Sequence, residues 1–163
     1  LALTGVAPKS FYSGNSATAH YEGLPADFIA AAIVAIGEAK RAGYHNFHVL
    51  NPNDDGISFD TFTDWLADFG YSIDRIDDYD DWLTRFTTAM RALPEERRHA
   101  SLLPLMDAFS KPMRATAGAS VPADRFIEAV AETCHETDGK IPQLSPHIIR
   151  RYVDDLKDAG LLE

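Results

Sequence analysis

Apolar residues recur at helical spacing along most of the chain. In ADFIAAAIVAIGEAKRAG, Phe28, Ile29, Ala32, Ile33 and Ile36 share one face. Pro25 is placed for the first turn of this helix and Gly43 for its stop. SFDTFTDWLADFG carries the cleanest stripe, with Phe59, Phe62, Trp65, Leu66 and Phe69 between a capping Ser58 and a closing Gly70. Ile57 and Phe62 stand at the positions of a hydrophobic staple. DYDDWLTRFTTAMRAL turns Trp82, Leu83, Phe86 and Met90 inward, and its acidic start supplies an N-cap and charge favourable to the helix dipole. Pro94 restarts a helix through EERRHASLLPLMDAF, broken or kinked at Pro104. Two further helices follow, PADRFIEAVAET and SPHIIRRYVDDLKDAG, the second with Ser145 as cap, Pro146 at its first position and Gly160 as its stop.

Two segments break the helical period. FHVLN is a short apolar run of strand type, and YSIDRID alternates. One helix lies between them, so the pattern predicts a parallel pair with a right-handed crossover. The fold class is therefore α/β and mostly helical, a small parallel βαβ sheet packed by helices. Residues 1–163 read as a single subdomain, with SKPMRATAGAS, 110–120, as a possible internal linker. The opening LALTG reads as the tail of a helix stopped by Gly5, as in a piece of something longer.

Composition narrows the function classes. A net charge of −10 on 163 residues argues against nucleic-acid binding, which needs a basic footprint. The single cysteine, Cys134, excludes an internal disulfide and suits a reducing cytoplasm. No apolar run reaches the ~20 residues of a membrane span.

Candidate chemistry thins out on inspection. Set against the calcium-loop template with Gly56 at its sixth position, NPNDDG offers Asn51, Asn53 and Asp55, but the position for a bidentate Glu holds Phe62. A turn leading to the Ser58 cap is the simpler reading. A dinucleotide fingerprint needs glycines two and three residues apart, whereas Gly37 and Gly43 are six apart. No Tyr stands four residues before a Lys; Tyr71 has Arg75 there. Cys134 and His135 are neighbours on a helix end and point in different directions. His45 and His48 bracket the FHVLN strand on opposite sides, and no zinc set is complete.

Two stretches stand apart. KSFYSGNSATAHY, 9–21, is an irregular segment of aromatic and polar residues, the kind of loop on which ligands bind. MRALPEERRHA gathers Arg91, Arg97, Arg98 and His99 in an otherwise acidic chain, although Glu95 and Glu96 can pair with them as a solvated helix face.

The succession GVAPKSFY, HYEGLPADFIAAAI, HVLNPNDDG, DRIDDYDDWLTRF, RALPEERRHASLLPL and IPQLSPHIIRRYVDDLKDAGLL resembles the C-terminal part of carboxylic acid reductases. The resemblance implies the C-terminal substrate-binding subdomain of a thioester reductase domain, an extended short-chain dehydrogenase/reductase. Such a domain uses NADPH to release a phosphopantetheine-bound acyl group as an aldehyde. The family's nucleotide-binding glycines and Tyr–Lys pair lie upstream of these residues, so no catalytic, cofactor-binding or metal residue is carried over, and the isolated chain is expected to be inactive. Implied partners are the upstream nucleotide-binding part, an acyl carrier domain and the acyl thioester. Lys9, Phe11, Tyr12 and Tyr21 are the candidate contacts to substrate or pantetheine arm, and Arg91, Arg97 and Arg98 the candidate carrier-docking residues. The alternative is a freestanding acidic helical interaction module without enzymatic activity.

Overall fold

The computed structural model describes residues 1–99 and 101–162. Its helices are α1 (Ala26–Ala39), α2 (Phe59–Asp68), α3 (Tyr79–Ala92), α4 (Glu95–His99), α5 (Asp124–Thr133) and α6 (Pro146–Asp158). Four short strands accompany them: β1 (Val6–Pro8), β2 (Tyr12–Ser13), β3 (Asp74–Ile76) and β4 (Met113–Arg114). The capping residues explain the helix starts. Ser58 and Thr61 form a reciprocal capping box at α2, the Asp78 carboxylate accepts from the Asp81 amide at α3, and Ser145 accepts from Ile148 at α6. The helix expected across Pro104 is broken: α4 ends at His99, and Leu103–Phe109 is a 3-10 helix with Pro104 in its first turn.

The small parallel sheet is present, but its partner strand is not the expected one. β3 pairs in parallel with β1, setting Val6 opposite Asp74 and Pro8 opposite Ile76. FHVLN forms no strand; it joins no ladder and bends at Leu50. The physical reason is visible at its end. The Asn51 amide donates to the Glu22 carbonyl and its Nδ2 to the Tyr21 carbonyl, so side-chain and isolated backbone bonds fix this segment. Val49 is left 42% exposed, where a covered strand would bury it. His45 and His48 accordingly flank no strand, and each ring bonds a separate backbone carbonyl, Ala42 and Pro122. A second parallel pair joins β2 to β4, Tyr12 opposite Met113, within the stretch 110–120. LALTG is a turn rather than a helix tail, with the Thr4 and Gly5 amides both donating to the Leu1 carbonyl.

Two apolar cores result. The larger packs Phe11, Tyr12, Ala19, Trp82, Phe86 and Met90, with Val6, Phe59, Ile76 and Phe109 around them. Phe11 stands edge-on to Trp82 at 5.4 Å, and Trp82 lies 5.4 Å from Phe86. The other joins α1 to α5 through Phe28, Ala32, Ile36, Phe126, Ala129, Val130 and Cys134. The buried face of α1 is narrower than expected, because Ile33 is 63% exposed. The α2 stripe is half-buried rather than buried, and only Thr63 of that helix is fully enclosed.

Candidate functional site

The loop after β1 is held to the start of α2 by one carboxylate. Asp60, in the first turn of α2, accepts from the Ser10 hydroxyl at 2.5 Å and from the Phe11 amide at 2.8 Å. Ser10 Oγ in turn accepts from the Tyr12 amide. Arg75, from β3, donates to the Pro8 and Asp60 carbonyls and to Asp64 Oδ1, so one guanidinium joins the end of β1 to the first two turns of α2. The geometry suits arginine, whose planar fork serves several acceptors at once.

This pinning arranges three of the four candidate contact residues around the N-terminus of α2. Tyr12 is nearly buried, and its hydroxyl accepts from the Phe59 amide, one of the N–H groups a helix start leaves open. Tyr21 packs edge-on against Phe59 and Phe62, each at 5.0 Å. Burial raises both phenols above their ordinary value. The Tyr21 ring folds back over Gly23 so closely that a Cβ there would meet it at 2.3 Å. Phe11 is 3% exposed, its ring held in the aromatic core. Lys9 stands outside this group, exposed and paired with Asp77 at 2.8 Å; that hydrogen bond raises the lysine and lowers the Asp77 carboxyl. The arrangement is a half-buried aromatic shelf with neutral hydroxyls at its edge and a cation nearby.

The arginines lie where α3 gives way to α4. Arg98 Nη1 donates to the Arg91 carbonyl at 3.4 Å, which satisfies a free carbonyl at the α3 C-terminus. Arg91 is exposed, while Arg97 and Arg98 are half-buried. The structure therefore brings Arg91 and Arg98 together across Pro94.

NPNDDG is a hydrogen-bonded turn. Asn51 Oδ1 accepts from the Asn53 amide and side chain, Asp55 Oδ1 accepts from the Ile57 amide, and Gly56 sits at φ +67°. Asn51 Oδ1 and Asp55 Oδ1, two of the oxygens a calcium ion would need, are committed to the turn. Among the described residues, no three His, Cys, Asp or Glu side chains stand close enough to hold a metal ion. Cys134 is the buried C-terminal cap of α5, and His135 opens the following 3-10 turn. A groove of about 880 Å³ runs beside α1, lined by Ala31, Val34, Ala35, Cys134 and Ile148. Among the described residues, no helix is long and apolar enough to cross a membrane.

Sequence reasoning missed Asp60 and His20 and gave no structural role to Arg75 or Asn51, all of which organise these loops. Ser10 and Asp60 are 50 residues apart, and no local pattern links them.

No family model matches the chain. It is 50% identical to a carboxylic acid reductase of Mycobacterium marinum, over 99% of this chain and 14% of that protein. A carboxylic acid reductase of Mycobacterium tuberculosis matches at 45%, over 99% of this chain and 15% of the relative. An isonitrile lipopeptide synthase of the same organism matches at 42%, over 99% of this chain and 7% of that protein. In three dimensions the chain is similar to the reductase (R) domain of a non-ribosomal peptide synthetase from M. tuberculosis. The TM-score is 0.84 at 41% identity, covering 99% of this chain and 39% of that one. The match falls in the C-terminal part of that domain.

Proposed function

Since the chain is homologous over its whole length to carboxylic acid reductases and takes the fold of the C-terminal part of a reductase domain, we propose that it is the substrate-binding and carrier-facing part of a thioester reductase. The single observation behind this reading is the match in fold and sequence across 99% of the chain to a reductase domain of which it spans 39%. In the parent enzyme NADPH would supply a hydride and a proton donor outside this chain a proton, so that a phosphopantetheine-bound acyl thioester would leave as an aldehyde and a free thiol.

The residues present do not fit a dinucleotide. Among the described residues no glycine-rich turn joins a strand to a helix N-terminus, which supports a division in which the cofactor's phosphates are held outside this chain. Its contribution is proximity and orientation of the acyl-bearing arm. Tyr12 and Tyr21, with neutral hydroxyls beside an apolar shelf, offer hydrogen bonds to an amide-bearing arm. Lys9 offers a point charge to its phosphate, in exchange for Asp77. Arg91, Arg97 and Arg98 form the basic rim that an acidic carrier domain would meet.

Calorimetric titration of the isolated chain with NADPH tests the division of labour. No saturable binding is expected, and micromolar binding would refute it. The reading of a freestanding interaction module is separated by the reading frame upstream, where a glycine-rich nucleotide motif and a Tyr-x-x-x-Lys are expected.

A further inference from the structure

Eight of the ten glycines stand at positive φ, where an L side chain is strained, and Gly23 and Gly37 do not. Beside Gly37 a Cβ would meet nothing within 4 Å, so nothing there demands glycine. Gly23 is different. A Cβ on it would stand 2.5 Å from both Cζ and the hydroxyl oxygen of Tyr21, well inside van der Waals contact. The backbone at residue 23 would accept a side chain, and the Tyr21 ring excludes one.

Two more rings complete the seat. Tyr21 stands edge-on to Phe59 and Phe62, with ring centroids 5.0 Å from each. Its backbone is held at both polar groups: the amide donates to the Ile57 carbonyl at 2.8 Å, and the carbonyl accepts from Asn51 Nδ2 at 3.2 Å. With the main chain fixed, the ring moves by changing rotamer, a jump between discrete wells rather than a drift. The hydroxyl at its end makes no hydrogen bond to any described residue. At the same helix start, the Tyr12 hydroxyl accepts from the Phe59 amide and keeps its own hydrogen to donate. The shelf thus presents two O–H donors, one held by a hydrogen bond and the other by the seat of its ring.

We propose that Gly23 is a positioning residue: its missing side chain leaves the seat in which the Tyr21 ring lies, and so fixes where the Tyr21 hydroxyl meets an amide carbonyl of the acyl-bearing arm. The inference rests on the reading above, in which this shelf faces the arm. Gly23 itself touches no substrate and acts through Tyr21. A methyl group at residue 23 would drive the ring to another rotamer and carry its hydroxyl several ångströms away, while both backbone bonds of Tyr21 persist. The effect on the fold is small, because the displaced group is the far end of a flexible side chain at a half-buried position. The effect on the reaction is larger, since ~1 Å of misplacement can cost ~100-fold in rate.

Proton spectra of the 163-residue chain and kinetics of the parent enzyme test this together. In the wild-type chain the Gly23 α-protons are expected to be shifted by the ring current of Tyr21, and Tyr21→Leu to abolish the shift. Gly23→Ala is expected to keep the melting temperature within about 4 °C while the Tyr21 ring loses its contacts with Phe59 and Phe62. In the parent enzyme Tyr21→Phe is expected to lower kcat/KM for the carrier-bound thioester by roughly 3- to 10-fold, and Gly23→Ala by at least as much. In the Gly23→Ala background, Tyr21→Phe should add no further loss, and neither variant should slow a small free thioester that lacks the arm. Unshifted Gly23 protons overturn the proposal even if Gly23→Ala does not fold. A Tyr21 ring that keeps its contacts in Gly23→Ala, or losses that add, would overturn it and leave the arm reading intact. Unchanged turnover in Tyr21→Phe would instead remove the arm contact itself, and the proposal with it.

Discussion

The two cores of this chain are built differently. Around Trp82, large aromatic rings interlock, and loops are fastened by side chain-to-backbone bonds from Asp60, Arg75, Asn51 and His20. Around Phe126, two helices meet through one edge-on pair of rings, Phe28 and Phe126, with alanines and aliphatics between them, and the outer face of α1 leaves Ile33 63% and Val34 61% exposed. The first arrangement fixes irregular backbone, which a ligand-facing surface needs, because a loop holds a side chain in place only when its own polar groups are tied down. The second is a helix pair held mainly by buried area, with exposed ion pairs such as Lys40–Glu132 at its edge. The difference ties down irregular backbone in the aromatic half and leaves the helical half as packed helices.

The comparison can be broken by substitution. Trp82→Ala and Phe126→Ala each remove a fully buried ring and are expected to cost about 3–5 kcal/mol in chemical denaturation, while Ile33→Ala stays within about 0.5 kcal/mol. A large cost at Ile33 would mean that the outer face of α1 is covered in solution. Next in size is Asp60→Ala, which orphans the Ser10 hydroxyl and the Phe11 amide and is expected to cost about 1–3 kcal/mol. Hydrogen exchange should accelerate at residues 10–12 and leave α1 and α5 unchanged; uniform acceleration would mean that the loops are not separately fastened.

The helical half has a smaller, pH-dependent tie. Arg151 hydrogen-bonds Asp27 at 2.5 Å and holds its carboxyl below the ordinary 3.8. A depressed carboxyl stabilises the fold above its unfolded value and loses that contribution as pH falls through the folded one. Arg151→Gln should therefore show a small melting-temperature deficit at pH 7 that disappears below the ordinary carboxylate range. A deficit constant down to pH 2 would assign the effect to packing. The smallest effect expected is that of millimolar calcium, which should leave the melting curve unchanged because Asn51 Oδ1 and Asp55 Oδ1 already serve the turn and the bidentate-Glu position holds Phe62. A site at 100 times its dissociation constant would add about 2.7 kcal/mol.

Much of the helical content is legible in the sequence because caps and stripes are local. Ser58, Asp78 and Ser145 announce their helices, and Trp82, Phe86 and Met90 recur at the α-helical spacing. FHVLN misleads because an apolar run of strand type says nothing about whether a partner edge is available. β1 escapes notice because VAP is three residues long and ends in proline, too short to show alternation. The contacts that shape the candidate site are harder still. Asp60 looks like a favourable first-turn acid, and only the fold reveals that it holds Ser10 and Phe11. His20 and Asp55 are 35 positions apart, and their pairing depends on two loops meeting.

The central claim, that this part of the enzyme serves a substrate delivered by a carrier, is tested most directly by Arg97→Glu with Arg98→Glu in the parent enzyme. Turnover is compared between carrier-bound thioester and a small free thioester. A loss on the carrier-bound substrate alone is expected, shrinking toward 1 M salt, where the screening length is about 3 Å. Equal losses on both substrates, or none on either, would contradict the claim.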